Sequence, residues 1–315
     1  EIPIHDESRR VFEENSMKIL VVGSEGNIGR HLVKHLEVCG HEVLCADIKN
    51  AYRPGFTQVD IVNPGELYPV VIKEKPEVIY NLAAMVSRVT CESSPHMAID
   101  RNLSGVNNMI QLSKLVEAKL IAFSTSEVYG NQESVMSELI TIPRPNNRYG
   151  LTKLLSEELI KYEVHNHGLK AVIVRPFMFY HEDEDTGDHR SMMSRFAHDL
   201  YARKQVEVHV GSSRGWLHMD DAVVALERAA YLDGFHTINI ANPKITYTTD
   251  MAQWFCDIYG INYADYVIEK ELPERMTLHK LPDVRLQWNL LSFIPTISTR
   301  EGVERIARKV MQECG

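Results

Sequence analysis

The chain reads as an α/β protein built on a doubly wound parallel sheet. Short, nearly continuous apolar runs alternate with stretches of helical periodicity, and the links between them are short. The first run, MKILVVG (17–23), ends in a glycine-rich turn that opens a helix. Strands apolar at almost every position are buried on both faces, as in parallel sheets covered by helices.

The elements follow in order. NIGRHLVKHLEVCG places Ile28, Leu32, Val33 and Leu36 on one helical stripe, which Gly40 stops. HEVLCAD (41–47) is a second strand and FTQVDI (56–61) a short third. PGELYPVVIKEK (64–75) reads as helix and PEVIYNLAA (76–84) as the fourth strand. A long helical stretch over about 95–117 leads to AKLIAFST (118–125), the fifth strand. YGLTKLLSEELIKYEVHNHG (149–168) is helical, ended by Gly168, and LKAVIVRPF (169–177) is the sixth strand. Beyond Phe177 the regularity fades. An acidic loop, YHEDEDTGDHR (180–190), precedes a helix, a short strand VEVHV and the helix MDDAVVALERAAYL. The strand HTINIA, another helix and a C-terminal helix from about 299 follow.

With 315 residues, the chain has room for one large domain or two modest ones. An apolar content of 44% and a charged content of 24% are those of an ordinary globular protein. The net charge of −9 argues against general nucleic-acid binding, which needs a basic surface. Five cysteines (Cys39, Cys45, Cys91, Cys256 and Cys314) show no C-x-x-C spacing, which fits a reducing, cytoplasmic setting. The fourteen histidines read as scattered surface or satisfied core groups. No H-x-x-x-H or Cys/His cluster accompanies His165 and His167, and no metal is expected. No apolar run reaches the ~18 residues of a membrane span. Residues 1–16, acidic and ahead of Met17, read as a leader or an N-terminal extension.

GSEGNIG supplies G-x-x-G-x-x-G at Gly23, Gly26 and Gly29, between a strand and a helix. Such a turn lets backbone approach a diphosphate and sets the anion on the helix N-terminus, beside Asn27 and Ile28. Asp47 ends the second strand, where a carboxylate accepts ribose hydroxyls and repels a 2′-phosphate; NAD is therefore expected over NADP. Lys49 and Arg53 work against that preference. Asp60 and Ile61, after the third strand, are placed to face an adenine edge. The reading divides the chain at 177: a Rossmann-type NAD-binding domain (17–177), then a smaller, mainly substrate-binding α/β lobe (178–315), some of whose segments return to the first.

FSTSEVYGNQ (123–132) leaves the fifth strand on three hydroxyls and a carboxylate. Taken alone this is either a self-capped polar turn or a reactive strand end. Downstream, Tyr149 and Lys153 stand at i and i+4, so on a helix the ammonium can lie under the phenol and stabilise its anion.

With the glycine turn, the strand-end hydroxyls and Y-x-x-x-K in this order, the chain resembles the extended short-chain dehydrogenase/reductase family. Within it, the likeness is to the NAD-dependent nucleotide-sugar epimerases and dehydratases. It covers about residues 17–312 and includes NLAA (81–84), NLSGVNNMI (102–110), STSEVYG (124–130), VRPF (174–177), RGWLHMDDAV (214–223) and the tail PDV…LLSFIPTISTREGV. The resemblance implies that Tyr149 takes a proton from a sugar hydroxyl, usually at C4, while C4 passes hydride to NAD⁺. It implies that Lys153 lowers the phenol pKa and holds the nicotinamide ribose, and that Thr125 hydrogen-bonds the reacting oxygen. It puts Leu82, Ala83, Ala84, Asn102 and Pro176 with the cofactor, and Ser87, Met178, Arg214 and Lys280 with the substrate. Arg214 corresponds to the arginine that grips a diphosphate. A homodimer through the 95–117 and 150–166 helices is likewise expected.

The reaction stays open at Ser126 and Glu127. Dehydratases resemble Thr-Asp-Glu there; here the acid is replaced by Ser126, so elimination is not favoured. Ser-Glu resembles UDP-glucuronate decarboxylases and several epimerases, with Glu127 either a base or a brace. The stretch RPFMFYHE departs from R-P-x-N-x-Y-G-P at Met178, His181 and Glu182, so an unusual substrate pocket is expected. The leading expectation is epimerisation or a related step after transient oxidation at C4. Decarboxylation of a UDP-uronate is the alternative. A non-catalytic dinucleotide sensor is the alternative of another class, and the intact Thr125, Tyr149 and Lys153 set counts against it.

Overall fold

The computed structural model describes residues 16–131, 135–184, 191–272 and 277–314. Residues 1–15 and the 185–190 part of the acidic loop lie outside them. The strands β1 (Lys18–Val22), β2 (Glu42–Asp47), β3 (Phe56–Gln58), β4 (Val78–Asn81), β5 (Lys119–Phe123) and β6 (Ala171–Pro176) form one parallel sheet. Between them run the helices α1 (Asn27–Val38), α2 (Leu67–Glu74), α3 (Arg88–Ser93), α4 (Pro95–Ile99), α5 (Gly105–Leu115) and α6 (Arg148–His167). After β6 come β7 (Met178–Tyr180), α7 (Met192–Tyr201), β8 (Val206–His209), β9 (Ser213–Arg214), β10 (Trp216–His218) and α8 (Met219–Ala230). The chain then returns as β11 (His236–Ile240), parallel to β6. The sheet order is β11-β6-β5-β4-β1-β2-β3, a Rossmann-type sheet whose order reverses between β1 and β4.

Alternation along the strands divides the core. Ile19, Val21, Tyr80, Ile121, Val172 and Val174 point to the face covered by α1 and α8. Leu20, Val22, Ile79, Leu120, Ala122 and Ile173 point to the face covered by α2 and α5. Each large apolar side chain buried this way contributes about 2 kcal/mol. A separate core gathers Tyr180, Met193, Phe196, Trp216, Phe255 and Val303 from β7, α7, β10 and the helices Thr248–Tyr259 and Thr299–Cys314.

Three elements differ from the sequence expectation. The third strand stops at Gln58, because Asp60 turns back in a bridge to Asn63. The sheet has a seventh strand, β11, drawn from HTINIA beyond the point where periodicity fades. The helical stretch begins earlier, at Arg88, breaks before Pro95, and passes through a π-helical segment, Asp100–Ser104, ahead of α5. That segment carries Asn102 inward.

Candidate active site

A cavity of about 550 Å³ opens at the carboxyl ends of the strands, where the sheet order reverses. Gly23, Gly26, Asn27, Ile28 and Gly29 line one wall, and Asp47, Asp60, Ile61, Leu82, Ala83, Ala84 and Pro176 line others. The glycine turn is required by contact: a Cβ on Gly29 would stand 2.1 Å from the Gly23 carbonyl oxygen. The N-terminus of α1 has no side-chain cap and no acidic residue in its first turn. Its amide groups are thus left for an anion in the cavity. Asp47 accepts from the Glu25 and Lys49 amides, both at 2.9 Å, one on each carboxylate oxygen, which leaves further lone pairs for hydroxyl donors. These residues fit an adenine dinucleotide. Lys49 and Arg101 also line the cavity, whereas Arg53 pairs with Glu37.

Thr125, Tyr149 and Lys153 meet at the inner end of this cavity. Asn147 caps α6 by accepting from the Gly150 amide at 2.9 Å. Gly150 lacks the Cβ that would stand 2.6 Å from the Glu127 carbonyl oxygen, so the start of α6 can lie against the strand-end turn. Burial raises the Tyr149 phenol well above its ordinary range, a hydrogen bond with Thr125 works to lower it, and the charge of Glu127 raises it further. The Lys153 ammonium donates to the Phe123 carbonyl at 2.7 Å. Burial lowers its pKa to about 8, against the pull of Cys91 and Glu157. The buried Lys153 ammonium thus satisfies a donor at the strand end, beside the turn that carries Thr125.

Beside Tyr149 lies a charged cluster. Lys280 donates to Glu127 and, at 3.3 Å, to the Ser126 hydroxyl; Asn147 donates to the other Glu127 oxygen at 2.8 Å. Burial works to raise the Glu127 pKa, but the Lys280 ammonium outweighs it, helped by Arg88 and Asn147, and holds the carboxyl at about 2. Arg214 donates to the carbonyls of Ser213, Leu278 and Thr277 at 2.7–2.8 Å, and burial lowers its pKa to about 10 against the attraction of Glu127. Arg88 acts electrostatically on Glu127, Arg214 and Lys280 alike. Sequence reasoning missed Arg88; its only local signal is a place just past the fourth strand. Phe123, Phe177 and Phe179, which line the cavity, were also missed.

Several expected residues stand elsewhere. Asn102 is fully buried and does not line the cavity; it exchanges hydrogen bonds with the Met85 backbone and donates to Thr152 at 3.0 Å, tying the β4 loop to α6. Ser87, at φ +84°, caps α3 by accepting from the Thr90 amide. Met178 packs against the second core. His181 and Glu182 do not enter the cavity: they face His218 and Asp220. The departure at His181 and Glu182 therefore builds a histidine cluster on the α1 side.

The reading of the histidines as scattered is likewise corrected. The sequence holds H-x-x-x-H at His31 and His35, and folding collects His181, Glu182 and His218 in one group and His35, Cys39 and Glu227 in another. Both groups join residues too distant in sequence to show as a motif.

Comparison with known proteins agrees with this geometry. A family model described as "NAD dependent epimerase/dehydratase family" matches residues 19–241. The chain is 26% identical to UDP-glucuronic acid decarboxylase 5 of Arabidopsis thaliana, over 93% of this chain and 89% of that one. It is 25% identical to UDP-glucuronate 4-epimerase of Thermodesulfobacterium geofontis, over 82% and 80%. Its fold is similar to the crystal structure of UDP-glucose 4-epimerase from Thermotoga maritima, with a TM-score of 0.86 at 22% identity, covering 95% of this chain and 100% of that one.

Proposed function

The chain belongs to the NAD-dependent epimerase/dehydratase family of nucleotide-sugar enzymes, and from that premise we propose that it epimerises a UDP-linked uronate at C4. The observation that carries the reading is the engagement of Glu127. Lys280 and Asn147 occupy its oxygens and hold its pKa at about 2, which makes it a weak base. Among the described residues this leaves Tyr149 to carry the proton at the inner end of the cavity. A 4-epimerisation needs one such group; elimination needs a separate acid and base.

When bound, NAD⁺ would supply an acceptor for the hydrogen that leaves C4 with its electron pair and, once reduced, the donor that returns it to the opposite face. Gly23, Gly26, Asn27, Ile28 and Gly29 would hold its diphosphate, Asp47 a ribose, and Asp60 and Ile61 the adenine side. Tyr149 takes the C4 hydroxyl proton and gives it back after the ketosugar turns over its face. Thr125 holds that oxygen in line. Lys153, freed from Phe123, stabilises the phenolate. Glu127 is a positioning residue that keeps Lys280 and Ser126 in place, while Arg88 and Arg214 draw the anionic substrate in.

A second reading, decarboxylation of the same uronate, is favoured by the convergence of Arg88, Arg214 and Lys280, which suits a sugar carboxylate, and by the similarity to a UDP-glucuronic acid decarboxylase. Incubation with UDP-glucuronate and with UDP-glucose, read by chromatography and mass spectrometry, separates the two. An isomer of unchanged mass from UDP-glucuronate supports epimerisation. Loss of carbon dioxide assigns the second reading, and loss of water, or inertness toward both sugars, overturns the proposal.

A homodimer through α6 is part of the same reading: Leu151, Leu155 and Tyr162 leave an exposed apolar stripe on that helix. No helix among the described residues is long and apolar enough to cross a membrane. The free cysteines support a cytoplasmic location.

A further inference from the structure

At the C-terminal end of α1, where it packs against α8, three side chains of different chemistry converge. His35 Nε2 lies 2.8 Å from Glu227 Oε2, and Cys39 Sγ lies 3.6 Å from each of them. His35 and Cys39 are four residues apart and share one face of the helix end. Tetrahedral zinc, with bonds of about 2.3 Å to sulfur and about 2.0–2.1 Å to nitrogen or oxygen, sets its ligand atoms roughly 3.3–3.6 Å apart. Both sulfur distances already match. The imidazole–carboxylate gap need open only by about half an ångström to admit the ion.

Proton positions favour ligation. His41 Nδ1 accepts from the Met17 amide at 3.1 Å, so its Nε2 carries a hydrogen and faces Glu227 Oε1 at 3.5 Å. Oε2 is left to face His35 and Cys39. In the structure His35 Nε2 donates to Glu227 Oε2; among the described residues nothing bonds His35 Nδ1, so the ring proton can move there when a cation displaces that hydrogen bond. The other cluster fails this test. Nδ1 of His181 accepts from the Asp183 amide at 3.0 Å, and Nδ1 of His218 from the Asp220 amide at 3.2 Å. Each Nε2 there keeps its hydrogen and points at Glu182, so that cluster is a carboxylate held by two N–H donors.

We propose that His35, Cys39 and Glu227 form a zinc-class divalent cation site, with water at the fourth position, on the side where Cys39 is exposed. On binding, the Cys39 thiol releases its proton to solvent; the thiolate and carboxylate together balance the two positive charges. The ion would pin α1 to α8. Because the other end of α1 carries the glycine turn, it would also steady the dinucleotide-binding wall.

The test uses the full chain freed of metal with a chelator. Titration with zinc chloride should give one-to-one binding and raise Tm by a few degrees at saturation. Cobalt(II) should produce a thiolate-to-metal charge-transfer band. Cys39→Ser should remove that band and weaken zinc binding by more than about 100-fold, beyond the cost of losing an outer partner. His181→Asn should leave both unchanged. Absence of the band, zinc binding that survives Cys39→Ser, or its loss in His181→Asn would overturn the assignment. Circular dichroism of each variant separates loss of a ligand from loss of fold.

Discussion

Glu157, on the buried side of α6, meets Arg175 of β6 through two hydrogen bonds, 2.9 Å from Nε and 2.6 Å from Nη2. Arg175 Nη1 donates on to the Tyr129 hydroxyl at 2.9 Å, which donates to Asn239 at 2.8 Å, and the Ser124 hydroxyl donates to Glu157. The turn that presents Thr125 is thus held from beneath by a satisfied polar network, and Ser124 belongs to that support.

Breaking one side of this pair leaves a buried guanidinium without its counter-charge. Glu157→Gln is expected to cost about 3–5 kcal/mol of stability in urea unfolding. The double variant Glu157→Leu with Arg175→Met should recover part of that loss, since no isolated charge remains. An equal loss in both would refute the account.

Tyr149→Phe removes the proton-transferring hydroxyl and keeps the ring that fills the cavity wall. Turnover should fall about 10²–10⁴-fold, while NAD binding measured by calorimetry stays within a few-fold. A variant that turns over at the parent rate would place the proton transfer elsewhere.

The clamp on Glu127 predicts a pH dependence of stability. Its folded pKa, about 2, is depressed below the ordinary 4.5. The contribution is therefore complete above pH 4.5 and is lost as the pH falls toward 2. It is at most about 3 kcal/mol, because burial also lowers the pKa of its partner Lys280 and so offsets part of the gain. The difference in unfolding free energy between the parent and Glu127→Gln should shrink as pH falls from 6 to 3. A difference independent of pH would show that the carboxylate charge does not brace the turn.

The glycine turn, Asp47 and the Tyr149/Lys153 spacing were legible in the sequence, because each is a local pattern: strand, turn, helix start, and one helical turn between two side chains. The partner of Lys153 was not, since a buried ammonium bonds whichever oxygen packing brings near, here that of Phe123. The family resemblance put Asn102 with the cofactor, and a structural hydrogen bond was its plainer alternative. Its π-helical placement chose the structural one.

By itself, the sequence determined the doubly wound sheet, the family and the cavity's inner residues, for periodicity and short-range spacing carry that information. Only the tertiary structure decided which charges meet. Lys280 reaches Glu127 across 153 residues and Glu227 reaches His35 across 192, and Arg88 acts on the first pair from the start of α3. Such meetings depend on how the excursion after β6 folds back onto the sheet. Long-range packing, driven by burial of the second core, sets that path, and no local period encodes it.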